Sequence, residues 1–325
     1  MLIKRFKHTV SYLTFAIVGV LVFCISSAQA ETRVTYKSAK STSSYYQMAV
    51  QIAEAMKAGS NGSIIVTVEE SQGSVQNVKE AAKRSGNYVF TTPPVLVKLA
   101  KAGKAMFKGK KDPKFNSIRA LFPIPSLTMH FVMSSKSGVS KFSDLKGKTV
   151  LIGKGSFGAR EGAKYLKLFG LKDQVKLANV ELSNAVPALK NGQIDGFVTA
   201  GSWPAPNVIE AAAGTGVRVL SLDDAQIKKT KRTKLVIPAG TYKGQNAPIT
   251  TTSLPVVAYT TTSMGNSTAY ALTKTYWSQK GKMGAKAAWW NGVDKGLMKN
   301  IIGKIHPGAI KYYSEAGFSI TAAQK

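Results

Sequence analysis

Cysteine is almost missing from this chain. Cys24 is the only one, so no intrachain disulfide and no cysteine-based zinc site can exist. Histidine is scarce as well: beyond His8 there are only His130 and His306, far apart in sequence. No His/Cys/carboxylate group has metal-ligand spacing, and neither a G-x-S-x-G elbow nor a paired His and nucleophile occurs. Asp195 and Glu161 have no evident partner for acid–base work. Together these absences argue against a hydrolase or metalloenzyme and lead to the expectation of no catalysis, no cofactor and no metal. Acidic residues are few too, 16 against 45 Lys and Arg, giving a formal charge of +29.

The first thirty residues read as an export signal. Lys4, Arg5 and Lys7 precede an apolar run from Tyr12 to Ile25, and Ala28-Gln29-Ala30 supplies an A-x-A cleavage site. The run is shorter than the roughly 20 residues a spanning helix needs. Phe23 stands before Cys24 where a lipoprotein signal requires a small residue, so no lipid anchor is expected. Cleavage after Ala30 would release a chain starting at Glu31 into a bacterial periplasm. No later run is apolar enough to span a bilayer. About 295 residues without cysteine must rely on a hydrophobic core, and that length suits two domains.

Without Lys4, Arg5 and Lys7 the net charge is three lower, +26. Nucleic acid is the reflex partner for such a balance, but the lysines are spread along the chain. Dense patches occur only at 98–114 and 228–234, with Phe107 the single aromatic between them. Neither patch resembles a base-stacking surface, so nucleic acid is not expected. A solvated basic surface, or a field that draws in anions, remains.

Two stretches share one local grammar. Ser74 to Gly86 and Ser183 to Gly192 each read as a serine-started amphipathic helix with basic last turns and a glycine stop. Each is followed by a short strand ending in hydroxyl residues, at Thr91-Thr92 and at Thr199 with Ser202. Serine-started helices beside strands that end in Ser and Thr place donors at one edge of a sheet, where ligands of open α/β folds sit. Two such edges suggest two lobes about a shared cleft; two ordinary βαβ units are the plain alternative.

The remaining segments fall around these. Thr32–Lys37 reads as a strand, and the run Ser38 to Ser44 with Tyr45 as a strand-to-helix turn, an anion-binding end or simply a capping region. Ile118–Phe122 and His130–Ser134 read as two strands split by Pro123 and Pro125. The loop Gly153 to Gly158 has G-x-G-x-x-G spacing between a strand and a helix. For an exported chain a small carboxylate on Ser156 and the helix amides fits that loop better than a nicotinamide cofactor. Trp203, between Gly201 and Pro204, is either a lid over the core or a wall of the cleft. Trp289-Trp290 reads as core in a helical region, and His306 before Pro307 as a helix cap.

Taken in order, several motifs resemble the substrate-binding proteins of tripartite ATP-independent periplasmic (TRAP) transporters, in the TAXI family. They are Gly73-Ser74-Val75 with Asn77, Ser143 to Lys148, Gly153 with Gly155-Ser156, Ala188 to Asp195, Ile237 to Gln245, and His306-Pro307-Gly308-Ala309 with Tyr312, Tyr313 and Glu315. The resemblance implies an α/β, two-lobed periplasmic binding protein of type II-like form, with a hinge and an inter-lobe cleft. Lobe 1 would comprise 31–127 and the return segment 254–325, and lobe 2 would comprise 128–253. It further implies a small carboxylate or acidic amino-acid ligand, delivered to the membrane permease of a TRAP transporter. The chain departs from relatives where Ser38 to Tyr45 replaces a glycine-rich turn, so side chains stand where bare backbone would meet ligand. The expected contacts are Ser43, Ser44, Ser74 and Ser156 at helix ends, Thr92 and Thr199 as hydroxyl donors, and Tyr45, Phe157 and Trp203 as walls. Rival expectations are a binding protein for an ABC importer or sensor kinase, and a basic protein for polyanions or envelope surfaces.

Overall fold

The computed structural model describes residues 31–153 and 156–325. The expected export signal and cleavage site in 1–30, and Lys154 and Gly155 of the glycine loop, lie outside the described residues.

The amino-terminal half begins as an alternation of strand and helix. β1 (Thr32–Lys37), α1 (Ser44–Gly59), β2 (Ile64–Glu69), α2 (Ser74–Ala81), β3 (Tyr88–Thr92) and α3 (Pro94–Ala102) follow one another. β1 pairs in parallel with both β2 and β3, which is what right-handed crossovers through α1 and α2 produce. All five residues of β3 are buried, as a strand covered on both faces requires.

β4 (Ile118–Ser134) then runs for 17 residues. It is one strand, not two, and the prolines within it have a local explanation. β7 pairs with β4 only from Thr128 onward, so Pro123 and Pro125 lie where one edge of the strand carries no ladder and a missing N–H costs nothing. The Tyr45 and Tyr276 hydroxyls donate instead to the Pro125 and Pro123 carbonyls, each at 2.9 Å.

β5 (Thr149–Leu151), α4 (Phe157–Leu168), β6 (Lys176–Leu177), α5 (Ala185–Lys190) and β7 (Gly196–Gly201) repeat the alternation. Next come α6 (Pro206–Gly214), β8 (Val217–Val219), α7 (Asp224–Thr230), β9 (Thr233–Ile237) and the second long strand, β10 (Ile249–Thr261). α8 (Asn266–Gly284) and α9 (Pro307–Glu315) close the chain. The sheet order is β2-β1-β3-β10-β4-β7-β5-β6, with β8 on β4 and β9 on β10. β4 and β10 are antiparallel to each other and pair with β3 at one end and with β7 at the other. One sheet thus takes all its strands from 32–261, with ladder partners changing near Thr128 on β4 and Ser253 on β10.

Two cap assignments read from sequence are corrected. Ser74 is the first residue of α2 and Gly73 is its cap, at φ +104°, without a side-chain bond. Ser183 lies in a short 3-10 turn, and α5 starts only at Ala185, two residues before Pro187. Proline fits the first turn of a helix, so Pro187 moved the start downstream. His306 does cap α9, its Nδ1 accepting from Gly308 N at 3.2 Å. Trp289 and Trp290 stack in a 3-10 turn, with Trp290 buried.

Candidate functional site

The ends of β1 and β3 and the starts of α1 and α2 are tied by one buried polar cluster. Ser38 Oγ donates to the Tyr45 carbonyl (2.7 Å), and Ser71 Oγ to the Ser38 carbonyl (2.9 Å). The Gly73 amide donates to Ser71 Oγ at 2.8 Å. Asn77, fully buried on α2, sends its Nδ2 to the carbonyls of Ser38 (2.6 Å), Thr91 (3.0 Å) and Lys37 (3.4 Å). Unpaired carbonyls at strand ends are costly when buried, and the two N–H donors of one amide reach the Ser38 and Thr91 carbonyls, with Lys37 at longer range. Its Oδ1 is buried without a partner.

Ser43 caps α1, its Oγ accepting from Tyr46 N at 3.2 Å. Ser44 is buried, and its Oγ accepts from the Ser202 amide, at the end of β7, at 2.9 Å. A Cβ on Gly201 would overlap that same Oγ, so the start of α1 and the end of β7 approach more closely than any other residue at 201 permits. Tyr45 is buried with its hydroxyl on Pro125, and burial raises its phenol well above the ordinary range.

α2 and α4 meet in a comparable way. Ser156 caps α4, its Oγ accepting from Ala159 N at 3.0 Å. A Cβ placed on Gly73 would lie 3.7 Å from Ser156 Cβ, so the two helix starts face each other. α4 itself sits hard against β7. Added Cβ atoms on Gly158 and Gly162 would come within 2.7 Å of Ala200 Cβ and 3.0 Å of Val198 Cγ1. The last glycine of the G-x-G-x-x-G spacing therefore serves helix–strand packing. Arg160 is exposed in the first turn of α4, and Lys79, in the last turn of α2, is pushed below its ordinary value by burial and then by Lys110 and Arg160. A cation thus stands in the first turn of α4, where the partial charge is already positive.

The structure therefore brings Ser44 to the β7 end, and Ser74 beside Gly73 to Ser156, while Ser43 serves the α1 cap. Ser74, Ser156 and Trp203 stay half-buried, and Trp203 packs on the core formed by β5, β7, α5 and α6. Phe157 is a core residue. Thr92 is fully buried, and Thr199 accepts from Asn207 Nδ2 at 3.1 Å. The sequence reading missed Gly201 and Ser202 as the contact for α1, although both were visible as the small residues ending β7. It also left Glu161 without a partner; the structure gives it Arg232, 71 residues away, through two bonds of 2.7 and 2.9 Å. Asp195 accepts from Thr149 N at 2.8 Å, joining β5 to the turn before β7.

Behind the β7 end lies a second buried polar chain. Tyr242, from the loop after β9, places its hydroxyl on His130 Nε2 (2.9 Å), and its oxygen accepts from the Ala205 amide (3.1 Å). His130 Nδ1 lies 3.2 Å from the Thr128 carbonyl, which assigns the proton to Nδ1 and leaves Nε2 as acceptor. Burial lowers His130 to about 4. Ala205 is two residues from Trp203, so this chain holds the loop that carries the tryptophan. Among the described residues no group of three His, Cys, Asp or Glu could hold a metal, and no helix is long and apolar enough to cross a membrane.

Residues 37–317 match the model of the NMT1-like family. Among solved structures, the periplasmic binding protein BugD shares 10% identity and covers 89% of this chain and 99% of its own, at a TM-score of 0.54. A structure described as a periplasmic transporter shares 10% identity over 77% of this chain and 83% of its own, at 0.52. A TRAP periplasmic solute-binding protein from Actinobacillus succinogenes 130Z with bound L-galactonate shares 16% over 89% and 88%, at 0.43. With the family match spanning nearly all of the described chain and the sheet built as above, the protein belongs to the NMT1-like family and has the α/β fold of the periplasmic binding proteins.

Proposed function

We propose that the protein is an exported solute receptor. It binds a small organic anion, a carboxylate or acidic amino acid, between two lobes and hands it to the permease of a TRAP-type transporter. The observation that carries this reading is the meeting of Gly73 and Ser156, the caps of α2 and α4, with Arg160 in the first turn of α4. Two helix amino termini that meet offer unpaired amides and positive potential to an anion, which in this reading enters a gap between them as the lobes open. In this reading 31–127 and 254–325 form one lobe and 128–253 the other. β4 and β10 serve as the hinge, because they alone run through both halves of the sheet. Ser74 and Ser156 contact ligand and Trp203 closes one wall. Ser43, Ser44, Tyr45, Phe157, Thr92 and Thr199 hold the surrounding backbone. Residues 1–30 direct export to the periplasm and are removed after Ala30. The TRAP assignment rests on the order of sequence motifs, not on the cleft.

A thermal-shift screen of carboxylates and amino acids against the mature chain tests the receptor reading. One compound should raise the midpoint at micromolar concentration, and Ser74→Tyr, which fills the α2–α4 gap, should abolish the rise. A flat screen with salt-sensitive retention on heparin would instead identify a polyanion-binding protein. Uptake by proteoliposomes holding the cognate permease, driven by an ion gradient without ATP, tests the transporter class.

A further inference from the structure

β10 has an interruption along one edge. Ser253 pairs with Thr233 of β9 and with Thr128 of β4, and Val257 pairs with Thr92 of β3 and with Pro123 of β4. β9 and β3 therefore share the edge opposite β4, and Leu254, Pro255 and Val256 between them have no strand partner there. A groove of about 180 Å³ opens at this gap. Its walls are apolar: Pro93, Pro94 and Val95 at the start of α3, Leu254 and Pro255 of β10, and the exposed Ile302. Its polar side bears Lys231, Arg232, Thr233 and Ser253.

Arg232 is held in place. Its Nε and Nη2 donate to the two carboxylate oxygens of Glu161, which is buried. A guanidinium has five donors, and among the described residues no acceptor takes the other three. Lys164 lies 4.0 Å from the same carboxylate, so two cations contact one carboxylate, and the exposed Lys231 adjoins Arg232 in the chain. The local excess is positive, and the free face of a fixed arginine fork matches a carboxylate in shape as well as charge.

We propose that this groove is a second anion site, which takes a monocarboxylate with an apolar body. The carboxylate sits on the free face of Arg232 and the body lies against Pro93, Pro94, Leu254 and Pro255. A second carboxylate at the far end of the body would lie against the prolines and Leu254, away from the basic side, so dicarboxylates are disfavoured there. The site lies beside the proposed hinge strand and is separate from the α2–α4 gap.

The test is a calorimetric titration of the mature chain with hexanoate, with 1-hexanol and succinate as controls. Hexanoate should saturate, 1-hexanol should not, and succinate should bind more weakly. Loss of a charge-assisted bond predicts at least about a tenfold weaker affinity for the double variant Glu161→Gln/Arg232→Gln, which leaves no lone buried carboxylate. Val95→Trp fills the groove without touching the ion pair and should abolish binding; it decides the matter if the double variant does not fold. Hexanoate that fails to saturate, or binds Val95→Trp as well as the unaltered chain, overturns the proposal. Ser74→Tyr should leave hexanoate binding unchanged. Loss of screen ligands in Ser74→Tyr therefore reports on the α2–α4 gap alone, and either site can fail without the other.

Discussion

Acidification should weaken the fold through His130 in a way that one substitution can isolate. His130 is fully buried, and burial lowers its imidazole from 6.5 to about 4. The folded pKa is depressed, so the fold holds the neutral ring. Above pH 6.5 both states are neutral and His130 adds no pH dependence. Between pH 6.5 and about 4 the unfolded chain takes up a proton that the folded chain refuses, and stability falls with falling pH. That interval, at 1.36 kcal/mol per pH unit, amounts to about 3 kcal/mol, a large share of the 5–15 kcal/mol typical of a domain. Urea unfolding of the unaltered chain and of His130→Gln at pH 7.5, 6.0, 5.0 and 4.5 measures it. Glutamine can still accept from the Tyr242 hydroxyl but does not titrate. His306, also lowered by burial, and carboxylates such as Glu69 contribute equally to both curves. The difference between the curves should therefore be flat above pH 6.5 and steepen below it. A difference that does not change with pH would show that His130 is not buried as a neutral acceptor.

Three other perturbations have defined outcomes. Asn77→Ala leaves the carbonyls of Lys37, Ser38 and Thr91 without the amide that joins them, and should cost about 2–4 kcal/mol in urea unfolding; an unchanged midpoint would mean water replaces the amide. Gly201→Ala drives a methyl into Ser44 Oγ and should cost about 1–3 kcal/mol, whereas Gly201→Ala combined with Ser44→Gly should recover most of the loss. Gly158→Val presses on Ala200 and should lower the thermal midpoint, while Gly86→Ala, with nothing within 4 Å, should act only through its φ of +69° at about 1 kcal/mol.

The periodicity of local segments carried much of the architecture. Strand–helix alternation, the capping role of Ser43, Ser156 and His306, and the left-handed glycine at 192 all follow from short-range chemistry that each segment displays alone. β4 shows where that stops. Two prolines argue for a break, and only the lack of a ladder on the edge away from β10 around Pro123 and Pro125, with tyrosine hydroxyls supplying their carbonyls, allows one strand to pass. Ser74 and Ser183 failed as caps because a glycine at φ +104° and a proline in the next turn decided where those helices begin.

What the sequence determined by itself was the class of most elements and the lack of any intrachain disulfide, since these depend on residue type and on neighbours within about one turn. What only the tertiary structure decided was which ends meet: Ser44 with Ser202, Gly73 with Ser156, Glu161 with Arg232, and His130 with Tyr242. Each of those pairs spans dozens of residues or more. Their approach depends on how one curled sheet brings its strands together, so no local pattern could reveal them.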